Sequence, residues 1–114
     1  MDITSLVEGQ IKIKEGLCFL YCPHTTCALT INENADPSVR KDIVSTLKKV
    51  VPDNLNYSHL EGNSPAHIKS SLLGNSLIIP VEEGGLRLGR WQGIFLCEFD
   101  GPRTREVWIK TLQG

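Results

Sequence analysis

Residues 75–112 read NSLIIPVEEGGLRLGRWQGIFLCEFDGPRTREVWIKTL, and their pattern decides the fold class. Asn75 to Val81, Leu86 to Leu88, Gly93 to Asp100 and Thr104 to Leu112 are short runs rich in β-branched, aromatic and aliphatic residues. Glu83-Gly84-Gly85, Gly89 and Asp100-Gly101-Pro102-Arg103 punctuate them with turn formers. This predicts four strands, the last two forming a hairpin.

Upstream, Ser64-Pro65 starts a helix with Ile68, Leu72 and Leu73 on its apolar side and Gly74 at its end, which puts His67 at its third position. Asp36-Pro37 supplies an N-cap and a first-turn proline to a second helix, in which Val39, Ile43, Leu47, Val50 and Val51 recur at helical spacing before Pro52 stops the run. Between the two, PDNLNYSHLEGN has no period and is expected to be a loop, of a length more often functional than idle. Nearer the start, Leu17 to Cys22 and Thr25 to Asn32 read as two strands, or one strand bent at Pro23-His24. Thr4 or Ser5 opens a short helix with Leu6, Val7 and Ile11, interrupted by Gly9 and closed by Gly16. Helices in the middle and strands gathered at the end predict an α+β fold rather than alternating βαβ units. We expect mainly antiparallel strands, with two to three helices beside them, in one compact domain spanning 1–114.

Composition narrows the function. Twelve Lys and Arg against 13 Asp and Glu leave a net charge of −1, and no basic stripe marks a nucleic-acid partner. No apolar run is long enough to cross a bilayer, and Met1-Asp2-Ile3-Thr4 does not look like a signal peptide, so a cytoplasmic location without a membrane partner is expected. The four cysteines, Cys18, Cys22, Cys27 and Cys97, show no CxxC pairing and read as reduced core residues. Cys22, two residues before His24, is the one with a conceivable reach to a metal.

The three histidines, His24, His59 and His67, all fall at element boundaries or in the polar loop. Three neutral imidazoles around one cation make a catalytic zinc arrangement, but the spacing is not that of HExxH, and by spacing alone three unrelated polar histidines are the plainer reading. A place near the positive end of a helix dipole favours a neutral His67. The same helix end, with Arg103 and Arg105, could cradle a phosphate; two solvated arginines at a strand end are the plain alternative. Glu33, Glu61 and Asp100 are carboxylates able to act as general base or to orient an imidazole, or simply to keep loops soluble.

Four separated motifs, in order, resemble the YjbQ family: His24-Thr25-Thr26-Cys27-Ala28-Leu29-Thr30-Ile31-Asn32-Glu33-Asn34-Ala35-Asp36-Pro37; Tyr57-Ser58-His59-Leu60-Glu61-Gly62-Asn63 with Ala66-His67; Leu88-Gly89-Arg90-Trp91-Gln92; and Glu98-Phe99-Asp100-Gly101-Pro102-Arg103-Thr104-Arg105. The resemblance implies a homotrimer of α+β domains in which His24, His59 and His67 hold a divalent metal, zinc foremost. It implies a secondary thiamine-phosphate synthase activity, joining hydroxymethylpyrimidine diphosphate to hydroxyethylthiazole phosphate with release of pyrophosphate. By motif position, Glu33, Glu61 and Asp100 would be catalytic, and Asn34, Asn63, Arg103 and Arg105 would bind substrate. A noncatalytic trimeric binding module for a phosphorylated metabolite and a metal-dependent hydrolase are the alternatives. Two departures stand out. Family members carry a further strand before the segment matching Asp2-Ile3-Thr4, and Arg90 stands where a small polar residue is common.

Overall fold

The computed structural model describes all 114 residues. In chain order they form α1 (Thr4–Glu8), β1 (Gly16–Tyr21), β2 (Cys27–Glu33), α2 (Pro37–Val50), α3 (Ser64–Leu73), β3 (Ser76–Glu82), β4 (Gly85–Leu86), β5 (Gln92–Glu98) and β6 (Trp108–Gln113). The strands make two antiparallel sheets, one in the order β4-β3-β1-β6 and the other a β2-β5 ribbon. Alternation along β1 and β3 sends Cys18, Leu20, Ile79 and Val81 inward. There they meet Leu29, Ile94 and Leu96 of the ribbon, with Ile3 and Val7 closing one side, in a single buried cluster. The α+β expectation therefore holds, and no helix is long and apolar enough to cross a membrane.

Four local expectations need correction. The last two strands do not form a hairpin: β5 pairs with β2 and β6 with β1, in different sheets. The stretch between them is too irregular for a tight turn, because Pro102 offers no N–H and Arg103 and Arg105 fold back onto Asp100 and Glu98. The pairing strand accordingly starts at Trp108 rather than Thr104. The strand expected at Leu86 to Leu88 is only Gly85–Leu86. The first helix stops at Gly9, whose N–H bonds the Ser5 carbonyl, well before Gly16. Gly16 instead begins β1 at φ +144°, where a Cβ would lie 2.0 Å from the Leu112 carbonyl oxygen, so only glycine admits the β1-β6 contact. Of the two readings at Pro23-His24, the two-strand one holds, with the strands in different sheets.

Both longer helices start close to where their sequence signals lie. Asp36 caps α2 by accepting from the Ser38 N–H at 2.9 Å, with Pro37 in the first turn. No residue of α2 is buried; Ile43 and Leu47 face Phe95 and Leu96 across an apolar cavity of about 150 Å³. α3 packs on β2. Residues 1–3 run along β5, with Ile3 N–H donating to the Ile94 carbonyl and Leu96 N–H to the Met1 carbonyl.

Candidate functional site

The chain leaves β1 at Tyr21, breaks at Pro23-His24 and enters β2 at Cys27, beside the C-terminal half of α3 and the irregular stretch after β5. That junction gathers most of the polar residues singled out from the sequence. Cys22 turns inward, its sulfur 3.2 Å from that of Cys27. Both thiols are free and buried, and burial pushes Cys27 up to about 12. Cys22 thus belongs to the core.

Asn63, not Ser64, is the capping residue of α3: its carbonyl accepts from the Ala66 and His67 N–H groups at 3.0 and 3.3 Å. His67 is therefore the fourth residue of the helix. Pro65 has no N–H and the next two are already bonded, so the first turn of α3 has little to offer an anion, contrary to the sequence expectation. The His59 ring meets the His67 ring edge-on, centroids 5.5 Å apart, and His59 Nε2 lies 3.7 Å from a carboxylate oxygen of Glu61. His24 and His67 line one open hollow of about 450 Å³ with Thr25, Ser70, Ser71, Gly74 and Asn75, none of them hydrophobic.

His24 is engaged elsewhere. Its Nε2 accepts from the Glu106 backbone N–H at 2.9 Å, which leaves the ring proton on Nδ1 and no lone pair for a cation. No group of three or more His, Cys, Asp or Glu side chains is arranged to hold a metal ion. As folded, two imidazoles stand side by side and the third is committed to an amide, so this donor set does not fit the expected three-histidine zinc site.

Carboxylates and guanidinium groups form a chain of bonds from the start of α3 to the start of β2. Asn63 Nδ2 donates to Asp100 Oδ2 at 2.9 Å, and Arg103 Nη2 donates to the same oxygen at 2.9 Å. Those two donors, the Asn63 amide foremost, hold the Asp100 carboxyl below the usual carboxylate range. Asn63 Oδ1 is buried with no protein partner, an acceptor awaiting a donor. Arg105 is nearly covered and grips Glu98 through two nitrogens, lowering the Glu98 carboxyl while its own guanidinium is pushed up. Its Nη2 also reaches Thr26 Oγ1 at 2.8 Å, and the Thr26 carbonyl accepts from the Phe99 N–H at 3.2 Å. The next carbonyl, that of Cys27, accepts from the buried Ser70 hydroxyl of α3 at 2.6 Å.

The predicted residues thus fall into two places. His24, His59, His67, Glu61, Asn63, Asp100, Arg103 and Arg105 surround the start of β2. Glu33 and Asn34 lie at its far end, about 20 Å away at the rise of an extended strand, where Glu33 pairs with Gln92 and Asn34 packs over Gly93. The sequence reading missed Thr26 and Ser70, which tie the cluster together. Their signal was a hydroxyl inside an apolar run, His24-Thr25-Thr26-Cys27-Ala28-Leu29, and another on the inner face of a helix.

The model of a family described as UPF0047 protein YjbQ-like matches residues 1–114. UPF0047 protein MJ1081 of Methanocaldococcus jannaschii is 53% identical over 115 residues, covering 98% of this chain and 83% of that protein. UPF0047 protein YugU of Bacillus subtilis is 50% identical over 116 residues, covering 98% and 88%. Among solved structures, an uncharacterized YjbQ/UPF0047 family protein from Clostridium acetobutylicum superposes with a TM-score of 0.95 at 51% identity, over 98% of this chain and 89% of that one. A YbjQ-like protein of unknown function from Sulfolobus solfataricus gives 0.94 at 34% identity, over 100% and 86%.

Proposed function

Since this chain belongs to the UPF0047 protein YjbQ-like family, we propose that it is a transferase acting on small phosphorylated metabolites, of the thiamine-phosphate synthase type, assembled as a homotrimer. The observation that carries the reading is the hollow bounded by His24, His67 and Ser71, with no hydrophobic lining, on the helix whose capping Asn63 is tied through Asp100 to a guanidinium that still has a hydrogen-bonding face to spare. Arg103 uses Nε and Nη2 on Asp100, and more than half of its side chain stays exposed, so Nη1 is free to meet a phosphate oxygen. In the reaction, the thiazole nitrogen attacks the methylene carbon of the pyrimidine diphosphate, the carbon–oxygen bond breaks, and pyrophosphate leaves with the electron pair. A fixed guanidinium beside the departing oxygens lowers that barrier. Asp100 positions Arg103, and Asn63 holds Asp100. His67 is the imidazole best placed to exchange a proton with a bound ligand, because it lines the hollow without the amide commitment of His24. No step passes through a metal, and Glu33 and Asn34 would contribute only from another subunit.

A noncatalytic binding role is the second reading. It is favoured by the commitment of both arginines to carboxylates, which limits the positive charge left for a transition state. Incubation with the pyrimidine diphosphate and thiazole phosphate, read by phosphorus NMR and mass spectrometry, separates the two. Thiamine phosphate and pyrophosphate in equal amounts, lost in Arg103→Ala, support the transferase. Saturable binding without product supports the binding module. Pyrimidine alcohol carrying solvent oxygen would point to hydrolysis, and neither binding nor product would remove both readings.

A further inference from the structure

Cys22 and Cys27 stand at the two ends of a short irregular segment, Pro23-His24-Thr25-Thr26, that carries the chain from one sheet to the other. Both side chains are buried, and their sulfurs lie 3.2 Å apart. Cys22 Sγ also lies 3.6 Å from the Cys27 carbonyl oxygen, so the two residues meet through more than one atom. Each is held by its own backbone: the Cys22 N–H donates to the Asn75 carbonyl at 2.7 Å, and Cys27 is in register with Glu98 in the β2-β5 ribbon. The sulfurs need close by only about 1 Å to reach the roughly 2.05 Å of a disulfide. Neither remaining cysteine is so placed. Cys18 is buried with no sulfur contact, and Cys97 is half-buried, near enough to Cys22 to feel its charge but not bonded to it.

A buried pair needs an approach. Thr25 is exposed, Pro23 and His24 are half-buried, and His24 and Thr25 wall the open hollow described above. Ser70, in the same wall, donates to the Cys27 carbonyl. The segment joining the two thiols is thus itself open to water. Its displacement, with both sheets intact, admits a molecule as small as hydrogen peroxide. Burial pushes Cys27 up to about 12, so the undisturbed pair stays reduced and oxidation waits on that displacement.

We infer that Cys22 and Cys27 are a reversible dithiol–disulfide pair, oxidised by hydrogen peroxide and reduced by a dithiol. One thiolate attacks the peroxide, the O–O bond breaks, and a sulfenic acid forms while the hydroxide released takes up the thiol proton as water. The second sulfur attacks the first, the S–S bond forms, and hydroxide leaves with the second thiol proton as another water. Two thiols lose two electrons and two protons, and one peroxide becomes two waters. The bridge joins the two sheets and pins His24 and Thr25 where they wall the hollow. It does not depend on the transferase reading, so the experiment follows thiols and never turnover.

Folded protein is treated with hydrogen peroxide, then unfolded, alkylated and weighed. It should be lighter by two hydrogen atoms and carry alkyl groups on two of its four cysteines. Trypsin releases residues 15–40 as one peptide holding Cys18, Cys22 and Cys27. That peptide should be alkylated at Cys18 alone and give no fragment ions from breaks between Cys22 and Cys27, while Cys97 is alkylated on its own peptide. Dithiothreitol should restore all four thiols. Cys18→Ala with Cys97→Ala should still form the bridge, and Cys27→Ala should not; should either variant fail to fold, the wild-type peptide decides. A link from Cys22 to Cys97 or Cys18, sulfinic acid in place of a link, or four alkylated cysteines after a treatment that oxidises the urea-unfolded chain each overturns the inference.

Discussion

Arg105 and Glu98 meet fork to fork, Nε donating to Oε1 at 2.6 Å and Nη2 to Oε2, across the irregular stretch that carries the chain from one sheet to the other. The pair sits where β5 ends, and Thr26 supplies it with two further oxygens.

Replacing Arg105 with Ala leaves a partly covered carboxylate and the Thr26 oxygens without their donor, and should cost about 1.5–3 kcal/mol. Arg105→Lys should recover less than half of that loss, because an ammonium cannot span both carboxylate oxygens. Urea unfolding midpoints check both. An Arg105→Ala variant within about 0.5 kcal/mol of wild type would put this pair among the surface contacts that contribute nothing measurable.

The same bond sets a pH dependence. Arg105 holds the Glu98 carboxyl below its ordinary value of 4.5, so the folded chain takes up this proton less readily than the unfolded one. The stabilisation is complete above that value and fades as the pH falls through the lower folded one. Glu98→Gln does not titrate. The difference in Tm between wild type and Glu98→Gln should be largest near neutrality and shrink as the pH drops below 4.5. A difference that stays constant down the acid limb counts against the assignment.

Gly16→Ala should be among the most damaging single substitutions in the sheet. The new methyl would stand 2.0 Å from the Leu112 carbonyl oxygen at a φ of +144°, at a cost of about 3 kcal/mol or more. Gly84→Ala is the control, since its φ is +80° but nothing lies within 4 Å of the added carbon, and it should cost only about 1 kcal/mol. Thermal unfolding of the two variants tests the ordering.

Ser70→Ala removes a buried hydroxyl that joins α3 to β2, and should cost about 1 kcal/mol. The loss is local, so amide exchange in residues 67–73 should quicken while that of α2 stays as in the wild type. Equal acceleration in both helices would mean that the bond supports the whole domain instead.

These relationships were legible in the sequence to different depths. α2 and the end of α3 could be read because Asp36-Pro37 and Gly74 act on their own neighbours. The partners of β5 and β6 could not, because strand pairing is decided by residues far away, and Asp100-Gly101-Pro102-Arg103 resembles a turn until Arg103 and Arg105 are seen folding back onto carboxylates. The histidines were noticed because they sit outside apolar stripes. That His24 spends its lone pair on the Glu106 amide is a contact between residues 82 positions apart, to which spacing is blind. Glu33 and Asn34 share a motif with His24, yet an extended strand carries them to its opposite end.

The adjoining carbonyls of Thr26 and Cys27 look in opposite directions, one toward Phe99 and Arg105, the other toward Ser70. A single peptide step therefore joins the helix bearing His67 to the segment bearing Arg105. A substitution that loosens either bond therefore acts on a stretch of backbone that both neighbours share.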